Sequence, residues 1–207
     1  MTMEAGTALI DNQEQLADLD LIAAAQRGDR RAFGELVCRH QKGVIGVVYR
    51  MCGDPYLAEE AAQEAFLRAW QHLAGYQPRY SFRAWVYRIA INAALDALRR
   101  QNSRREQPLT AEGQGNEGET GPEADLPVDD EGPEAAMESK QRAERIRQAV
   151  LALPPPSRSV LVLREYGGLA YAEIAASLGI PIGTVMSRLN SARGQLRQSR
   201  ADLMEVL

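Results

Sequence analysis

The segment from Tyr171 to Leu189 constrains the fold of this chain most strongly, because it predicts a helix, a tight turn and a second helix. Gly179 supplies a turn residue that tolerates a positive φ angle, and Pro181 prevents the first helix from continuing. Apolar residues of the second helix recur at helical spacing, which predicts one inward-facing side made of Val185, Leu189, Ala192 and Leu196.

The opposite side of the second helix carries short hydrogen-bonding side chains and one arginine: Thr184, Ser187, Arg188 and Ser191. This combination is typical of a helix-turn-helix, whose second helix enters the major groove of DNA. The alternative is an ordinary helical hairpin within a bundle. We favour DNA binding because the glycine, the small residues and the polar face occur together.

The net charge of −4 would disfavour nucleic-acid binding if the charge were spread evenly along the chain. Residues 1–102 carry 12 basic and 12 acidic side chains, residues 103–137 carry 2 and 10, and residues 138–207 carry 10 and 6. The acidity therefore belongs to the middle of the chain. The part that contains the predicted helix-turn-helix is basic.

The periodicity predicts an all-α fold with two small helical domains, at residues 18–102 and 138–207, joined by a flexible acidic linker. We expect residues 1–17, which are polar, to be disordered. Residues 103–137 combine glycine, proline and carboxylates with few apolar side chains. Such a segment cannot bury enough surface to offset its ordering entropy, so we interpret it as the linker.

Within the first domain the pattern predicts a helix over about 57–73, a loop over 75–80 and a long helix capped by Ser81. Seven of the twelve aromatic residues lie between positions 66 and 87, interleaved with arginines. Helical spacing assigns four of them to the core: Phe66, Trp70, Phe82 and Trp85. Tyr76 and Tyr80 lie in the loop, where they need not pack in the core and can stack on unpaired bases.

Other function classes find little support in the sequence. No apolar run approaches the ~18 residues of a membrane span, and the amino terminus lacks a signal pattern, so we expect a cytoplasmic protein without membrane insertion. Cys38 and Cys52 are expected to be buried thiols in a reducing compartment. The spacing of Cys38, His40, Cys52 and His72 fits structural zinc poorly, and no catalytic motif is present. We therefore expect no metal, no cofactor and no enzymatic activity.

The two predicted domains together resemble a known family. Residues 53–70 resemble conserved region 2.2 of bacterial RNA polymerase sigma factors, and residues 81–100 resemble regions 2.3 and 2.4. Residues 168–175 and 183–189 resemble region 4. The short form, without the intervening domain of primary sigma factors, resembles the extracytoplasmic-function (ECF) group.

The resemblance implies a factor that binds core RNA polymerase and directs it to promoters, in a stress or envelope response under the control of an anti-sigma factor. It implies contacts of region 2 with a coiled coil of the polymerase β′ subunit and of region 4 with the β flap. The residues that it implies for polymerase binding give one helix an acidic face: Asp54, Glu59, Glu60, Gln63, Glu64, Phe66 and Arg68.

The resemblance also implies two sets of promoter contacts. Those at the minus-ten element, which is melted, are Tyr76, Arg79, Tyr80, Arg83, Arg88, Asn92, Asp96, Arg99 and Arg100. Those at the minus-thirty-five element are Tyr171, Gly183, Thr184, Ser187, Arg188, Ser191 and Arg193. The competing hypothesis is a stand-alone helix-turn-helix regulator, which would need neither the acidic helix nor the aromatic loop.

Three positions depart from the family pattern. Met186 and Ile91 stand where a basic residue is common, and Ala97 stands where a bulky residue is frequent. We expect these changes to weaken phosphate contacts at both promoter elements. A linker of about 35 residues spans roughly 33 Å as a random coil and at most ~115 Å extended. It can therefore bridge promoter elements that lie ~50 Å apart.

Overall fold

A computed structural model describes residues 17–106 and 133–205 of the chain. These described parts are almost entirely helical and contain no strand, which confirms the predicted all-α fold. Eight α-helices occur there, with a short 3-10 helix, Leu73–Gly75, after the third. Their bounds are α1 17–26, α2 Arg30–Cys52, α3 Pro55–His72, α4 Phe82–Glu106, α5 Pro133–Ala152, α6 Pro155–Glu165, α7 Tyr171–Leu178 and α8 Ile182–Glu205.

Aspartate caps position the first two long helices. The Asp29 carboxylate accepts hydrogen bonds from the first turn of α2, and α2 ends at Gly53 with a φ angle of 76°. Asp54 then accepts from the backbone N–H of Leu57 at 3.1 Å, and Pro55 occupies the first position of α3. These caps satisfy backbone donors that a helix start leaves open, so the turn between α2 and α3 is fixed by the sequence itself.

The ends of α4 and α5 differ from the prediction. Ser81 caps α4 as expected, accepting from the N–H of Ala84 at 3.3 Å. However, α4 continues to Glu106 and α5 begins at Pro133, so both helices extend into the predicted linker 103–137. No glycine or proline interrupts the chain between the start of α4 and Pro108, and proline suits a helix start. The rest of the predicted linker, and residues 1–16, lie outside the described residues.

The interior of the amino-terminal half, α1–α4, is built around an alanine face of α3. Its buried alanines let α2 and α4 approach closely: Ala58, Ala61, Ala62, Ala65 and Ala69. Large side chains from the neighbouring helices fill the space around them, among them Leu36, Met51, Phe82 and Ile91. Small residues opposite large ones allow interdigitated packing without voids.

The carboxy-terminal half, α5–α8, places α7 and α8 as the predicted helix-turn-helix. Gly179, with a φ angle of 64°, ends α7. The predicted inward side of α8 is confirmed, since Val185, Leu189 and Ala192 are at most 1% exposed and Leu196 packs against them. Hydrophobic residues of the two halves belong to one continuous cluster, so the halves are in direct contact in this structure.

Candidate polymerase and nucleic-acid interfaces

The outer face of α3 is acidic and projects from the bundle. Glu59, Glu60 and Gln63 are exposed, whereas Glu64 is half-buried and accepts a 2.7 Å hydrogen bond from Arg68 one turn later. That ion pair reduces the free charge of the face. Asp54, predicted as a polymerase contact, caps the start of α3 in this structure.

A groove of about 620 Å³ runs between α3 and α2 along this acidic face. Its floor is apolar and its edge is polar; it is lined by Arg30, Phe33, Val37, Gln41, Ile45, Glu59, Ala62, Gln63, Phe66, Leu67 and Trp70. The rings of Phe33 and Trp70 lie 5.0 Å apart across it. Leu67, at 60% exposure, extends the apolar surface outward. The sequence did not lead us to predict the α2 side of this groove, although Phe33, Val37 and Ile45 recur at helical spacing.

Tyr76 lies in the core, so the expectation that it need not pack there is wrong. Its ring contacts Trp85 at 4.7 Å between centroids, and its hydroxyl donates to the carbonyl of Tyr80 at 2.8 Å. Burial raises the pKa of Tyr76 to about 12, and the negative charges of Asp18 and Glu173 add to the shift. The 3-10 helix that precedes it delivers the ring inward. Its ring is therefore not presented to a DNA strand in this arrangement.

Of the three loop residues predicted to contact DNA, Arg79 and Tyr80 are exposed, Tyr80 at 43%. The loop backbone beside them is fixed, because the side-chain amide of Gln26 donates to the carbonyls of Leu73 and Tyr76, both at 3.0 Å. The structure thus presents the Arg79 guanidinium and the Tyr80 ring on a loop whose backbone is fixed by these hydrogen bonds. This is a suitable arrangement for stacking an unpaired base beside a phosphate.

An exposed polar stripe follows α4 away from the loop. Arg88, Asn92, Arg99 and Arg100 are exposed, and Arg83 and Asp96 are half-buried. Asp96 accepts from Arg99 at 2.9 Å, an exposed ion pair of the kind that contributes only ~0–1 kcal/mol. A DNA phosphate can displace such a pair at little cost.

Two of the three departures from the family pattern turn out to be core positions. Ile91 is fully buried and Ala97 is 8% exposed. The expectation that they weaken a phosphate contact is wrong, because neither side chain reaches the surface of α4. Met186, in contrast, is 47% exposed on α8.

The predicted minus-thirty-five residues fall into two groups. Gly183, Ser187 and Ser191 are exposed along one side of α8, with Thr184 and Arg188 half-buried beside them. Tyr171 and Arg193 instead have partners within the half. Arg164 lies 5.1 Å from the centre of the Tyr171 ring, and Arg193 donates to Glu165 at 2.6 Å. That hydrogen bond raises the pKa of the Arg193 guanidinium.

Polar contacts join the start of α4 to α7. Glu173 accepts from the Ser81 hydroxyl at 2.6 Å, while its other oxygen accepts from the N–H of Ala170. Ser177 donates to the carbonyl of Ala84 at 3.1 Å. These contacts place α7 over the amino-terminal end of α4.

Further contacts join the end of α2 to the carboxy-terminal half. The half-buried Arg158 guanidinium donates to the carbonyl of Met51 and to those of Leu151 and Leu153, the last at 2.9 Å. Burial lowers the pKa of Arg158. Arg50 lies 4.0 Å from the centre of the Tyr166 ring. We call these contacts, with those between α4 and α7, the junction.

Cys38, Cys52 and His40 have separate environments and do not form a shared site. Cys38 is exposed, so its expected burial is wrong, because it lies on the solvent side of α2. Cys52 donates to the carbonyl of Asp54, and burial raises its pKa to about 11. His40 lies 2.7 Å from the buried Asp18. Among the described residues, no helix is both long and apolar enough to span a membrane.

Comparison with known proteins identifies the class. The family models for Sigma-70 region 2 and Sigma-70, region 4 match residues 36–104 and 143–196. The RNA polymerase sigma-H factor of Pseudomonas aeruginosa is 36% identical over 192 residues, covering 93% of this chain and 97% of that protein. The ECF RNA polymerase sigma factor SigW of Bacillus subtilis is 35% identical over 182 residues, covering 88% and 96%.

The fold agrees with these matches. The solved structure of CnrH in complex with the cytosolic domain of CnrY superposes with a TM-score of 0.64, at 25% identity, covering 92% of this chain and 98% of that one. Fold and surfaces together define a helical transcription initiation factor. The chain belongs to the ECF group of bacterial RNA polymerase sigma factors. Proteins of this family are initiation factors rather than enzymes.

Proposed function

We propose that this sigma factor docks on core RNA polymerase through α3 and its groove, and that it positions the enzyme with separate DNA contacts from α4 and α8. One observation carries the proposal: beside the acidic face of α3 the chain presents a groove with an apolar floor and a polar edge, in addition to the two helices that we propose contact DNA. A stand-alone helix-turn-helix regulator has no use for that groove.

The docking surface suits a basic helical partner such as the β′ coiled coil. Glu59 and Gln63 border the groove, and Leu67 supplies exposed apolar area, whereas Phe66 lines the floor and is only 8% exposed. An apolar centre with a polar rim is the usual anatomy of a specific protein interface. The helix-turn-helix half docks separately, on the β flap.

The exposed residues assign a different DNA contact to each half of the chain. Arg79, Tyr80 and the arginines of α4 hold the melted strand of the minus-ten element, while Ser187 and Arg188 of α8 read the minus-thirty-five duplex. Stacking is worth ~1–3 kcal/mol per base, which offsets the few kcal/mol that base flipping costs. Promoter opening is thereby coupled to strand capture.

The junction has to open for both DNA contacts to form. The two promoter elements lie ~50 Å apart along the duplex, whereas α7 rests directly on the start of α4 in this structure. The junction therefore represents a closed form of the factor. Core polymerase, by binding the two halves at separate places, shifts the population toward an open form.

An anti-sigma factor is the expected partner of the closed form. CnrH, which shares the fold, was solved in complex with the cytosolic domain of CnrY. A protein that bridges both halves of this chain would stabilise the junction and withhold the factor from polymerase. We place this exchange in the cytoplasm, where core polymerase acts, as part of a stress or envelope response.

Run-off transcription from a promoter library tests the proposal. Core polymerase with the factor should produce discrete transcripts that are absent when either component is omitted. Sequence-specific DNA binding by the factor alone, without any effect on polymerase, would instead establish the stand-alone regulator.

A further inference from the structure

Two large apolar side chains stand exposed at the start of the recognition helix α8. Ile182 and Met186, one helical turn apart, are each 47% exposed. They are not part of the buried side of the helix, which is formed by Val185, Leu189 and Ala192. We call these two residues the apolar strip of α8.

The strip lies among the polar side chains that face DNA. Thr184, Ser187 and Arg188 fall within the same two turns, and Ser187 folds back to donate to the carbonyl of Thr184 at 3.1 Å. The first residues of a recognition helix are those that approach base edges in the major groove. The apolar strip therefore lies in the part of α8 that approaches base edges.

The major groove offers apolar side chains one specific partner. Thymine carries a C5-methyl group there, whereas the other groups at the base edges are hydrogen-bond donors and acceptors. We infer that Met186, supported by Ile182, contacts thymine methyl groups in the minus-thirty-five element and is a specificity-determining residue of this factor. The inference rests on the proposed function, because it requires α8 to read promoter DNA.

The side chain at position 186 determines whether this part of α8 contacts a phosphate or a base edge. A basic side chain would bind a phosphate, which adds affinity without sequence information. A thioether chain makes no such contact, and its three rotatable bonds let it adapt to the position of a methyl group. Ile182 and Met186 lie ~6 Å apart along the axis, about two base-pair steps of ~3.4 Å. The strip can thus reach two thymines.

Thymine replacement tests the inference with the complete holoenzyme. Duplexes selected from a random library by core polymerase plus the full chain are remade with deoxyuridine at each minus-thirty-five thymine in turn, which removes one methyl group. Deoxyuridine at one or two positions should weaken binding about fourfold, the factor for one buried methyl at about 0.8 kcal/mol. Met186→Ala should abolish the sensitivity at its position and leave the other position unchanged.

Met137→Ala is the matched control, since Met137 is 63% exposed at the start of α5, on a helix other than α8. It should retain the full sensitivity. Met186→Lys should lose the sensitivity and steepen the salt dependence by about one phosphate contact, a slope change of ~0.9. If every deoxyuridine duplex binds the wild-type holoenzyme as tightly as its thymine parent, the methyl contact is refuted while the proposed function stands. If the holoenzyme selects no sequence at all, both are refuted.

Discussion

The two helices that we propose contact DNA, α4 and α8, differ in how available they are in this structure. α8 presents its polar side and its apolar strip openly, whereas the start of α4 is covered by α7 through Ser81 and Ser177. The proposed reading of duplex DNA by α8 therefore needs no rearrangement of the chain. Access to the start of α4, beside the loop that we propose captures the melted strand, does require the junction to open.

The two regions also differ in how they are held. The inside of the helix-turn-helix is apolar and almost fully buried, with Ile174, Val185 and Leu189 at its centre. The junction adds polar contacts made by serine, glutamate and arginine side chains. Polar contacts exchange readily with water, so their net stabilisation is about 1 kcal/mol each, or ~1.5–3 where one group is charged. The two halves also share apolar contacts, so the polar junction is the part of their interface that exchanges most readily with water.

Loss of polymerase docking should have the largest effect. Reversing Glu60 and Glu64 to lysine changes the acidic face of α3 and leaves Arg68 without its partner. Co-purification with core polymerase should be abolished, because a basic β′ surface would meet like charge. The variant should keep its helical circular dichroism, since neither carboxylate is part of the buried core.

A second reversal of equal charge serves as control for that experiment. Asp20 and Glu35 are exposed on α1 and α2, and Glu35 pairs with Arg39 at i,i+4 as Glu64 pairs with Arg68. The Asp20→Lys, Glu35→Lys variant should still co-purify with the enzyme. Equal retention by both variants would remove α3 as the docking helix.

Weakening of the junction should have the second-largest effect. Arg158→Met removes the guanidinium that links the carbonyl of Met51 to the carboxy-terminal half. Charged hydrogen bonds are worth ~1.5–3 kcal/mol, so the open population should rise roughly 10- to 100-fold. Small-angle scattering should show a larger radius of gyration. Arg164→Met, which loses a bond to Leu169 within one half, should not expand the molecule.

Cys52 offers an internal measure of the same opening. It lies at the end of α2 beside the junction, and a pKa of about 11 leaves little reactive thiolate near neutral pH. Alkylation of Cys52 relative to the exposed Cys38 should therefore accelerate in Arg158→Met and remain slow in Arg164→Met. An unchanged ratio in both variants would show that the halves do not separate at Arg158.

Strand capture should respond to the exposed loop residues and not to the buried one. Arg79→Ala with Tyr80→Ala should spare closed-complex formation and reduce permanganate-reactive thymines in the minus-ten region by roughly tenfold, the equivalent of ~1–3 kcal/mol of stacking. A pre-melted template should restore transcription. Normal opening of duplex DNA by this variant would exclude the loop as the capturing element.

Tyr76 provides the contrast within the same loop. Tyr76→Ala should lower the free energy of unfolding by ~3–5 kcal/mol, because a large buried ring leaves a cavity. Tyr76→Phe keeps the ring and loses only the hydroxyl contact with Tyr80, so it should open promoters nearly normally. Thermal unfolding of both variants separates the two roles. Equal opening defects in Tyr76→Phe and in the Arg79, Tyr80 double variant would assign Tyr76 a direct contact with DNA.

The sequence predicted the features that rest on local signals. The cap at Ser81, the turn at Gly179 and the inward side of α8 follow from residue type and spacing, and the structure confirms each. Features that depend on tertiary packing were missed. The burial of Tyr76 arises from the 3-10 helix before it and from Trp85 beyond it. The groove needs α2 and α3 side by side, and the junction joins residues about 90 apart, such as Ser81 and Glu173.

Base reading by Arg188 should give the smallest effect and the most informative one. Arg188 is half-buried on the polar side of α8 that we propose faces DNA, where a bidentate contact with guanine is worth ~1–3 kcal/mol of discrimination. Arg188→Ala should therefore relax preference at a single minus-thirty-five position, measured by holoenzyme selection from a randomised duplex. Arg197→Ala, on the exposed later part of the same helix, should leave that preference unchanged. Uniform weakening on all sequences, with a shallower salt slope, would assign Arg188 to a phosphate, and the base specificity of α8 would then rest on its remaining side chains.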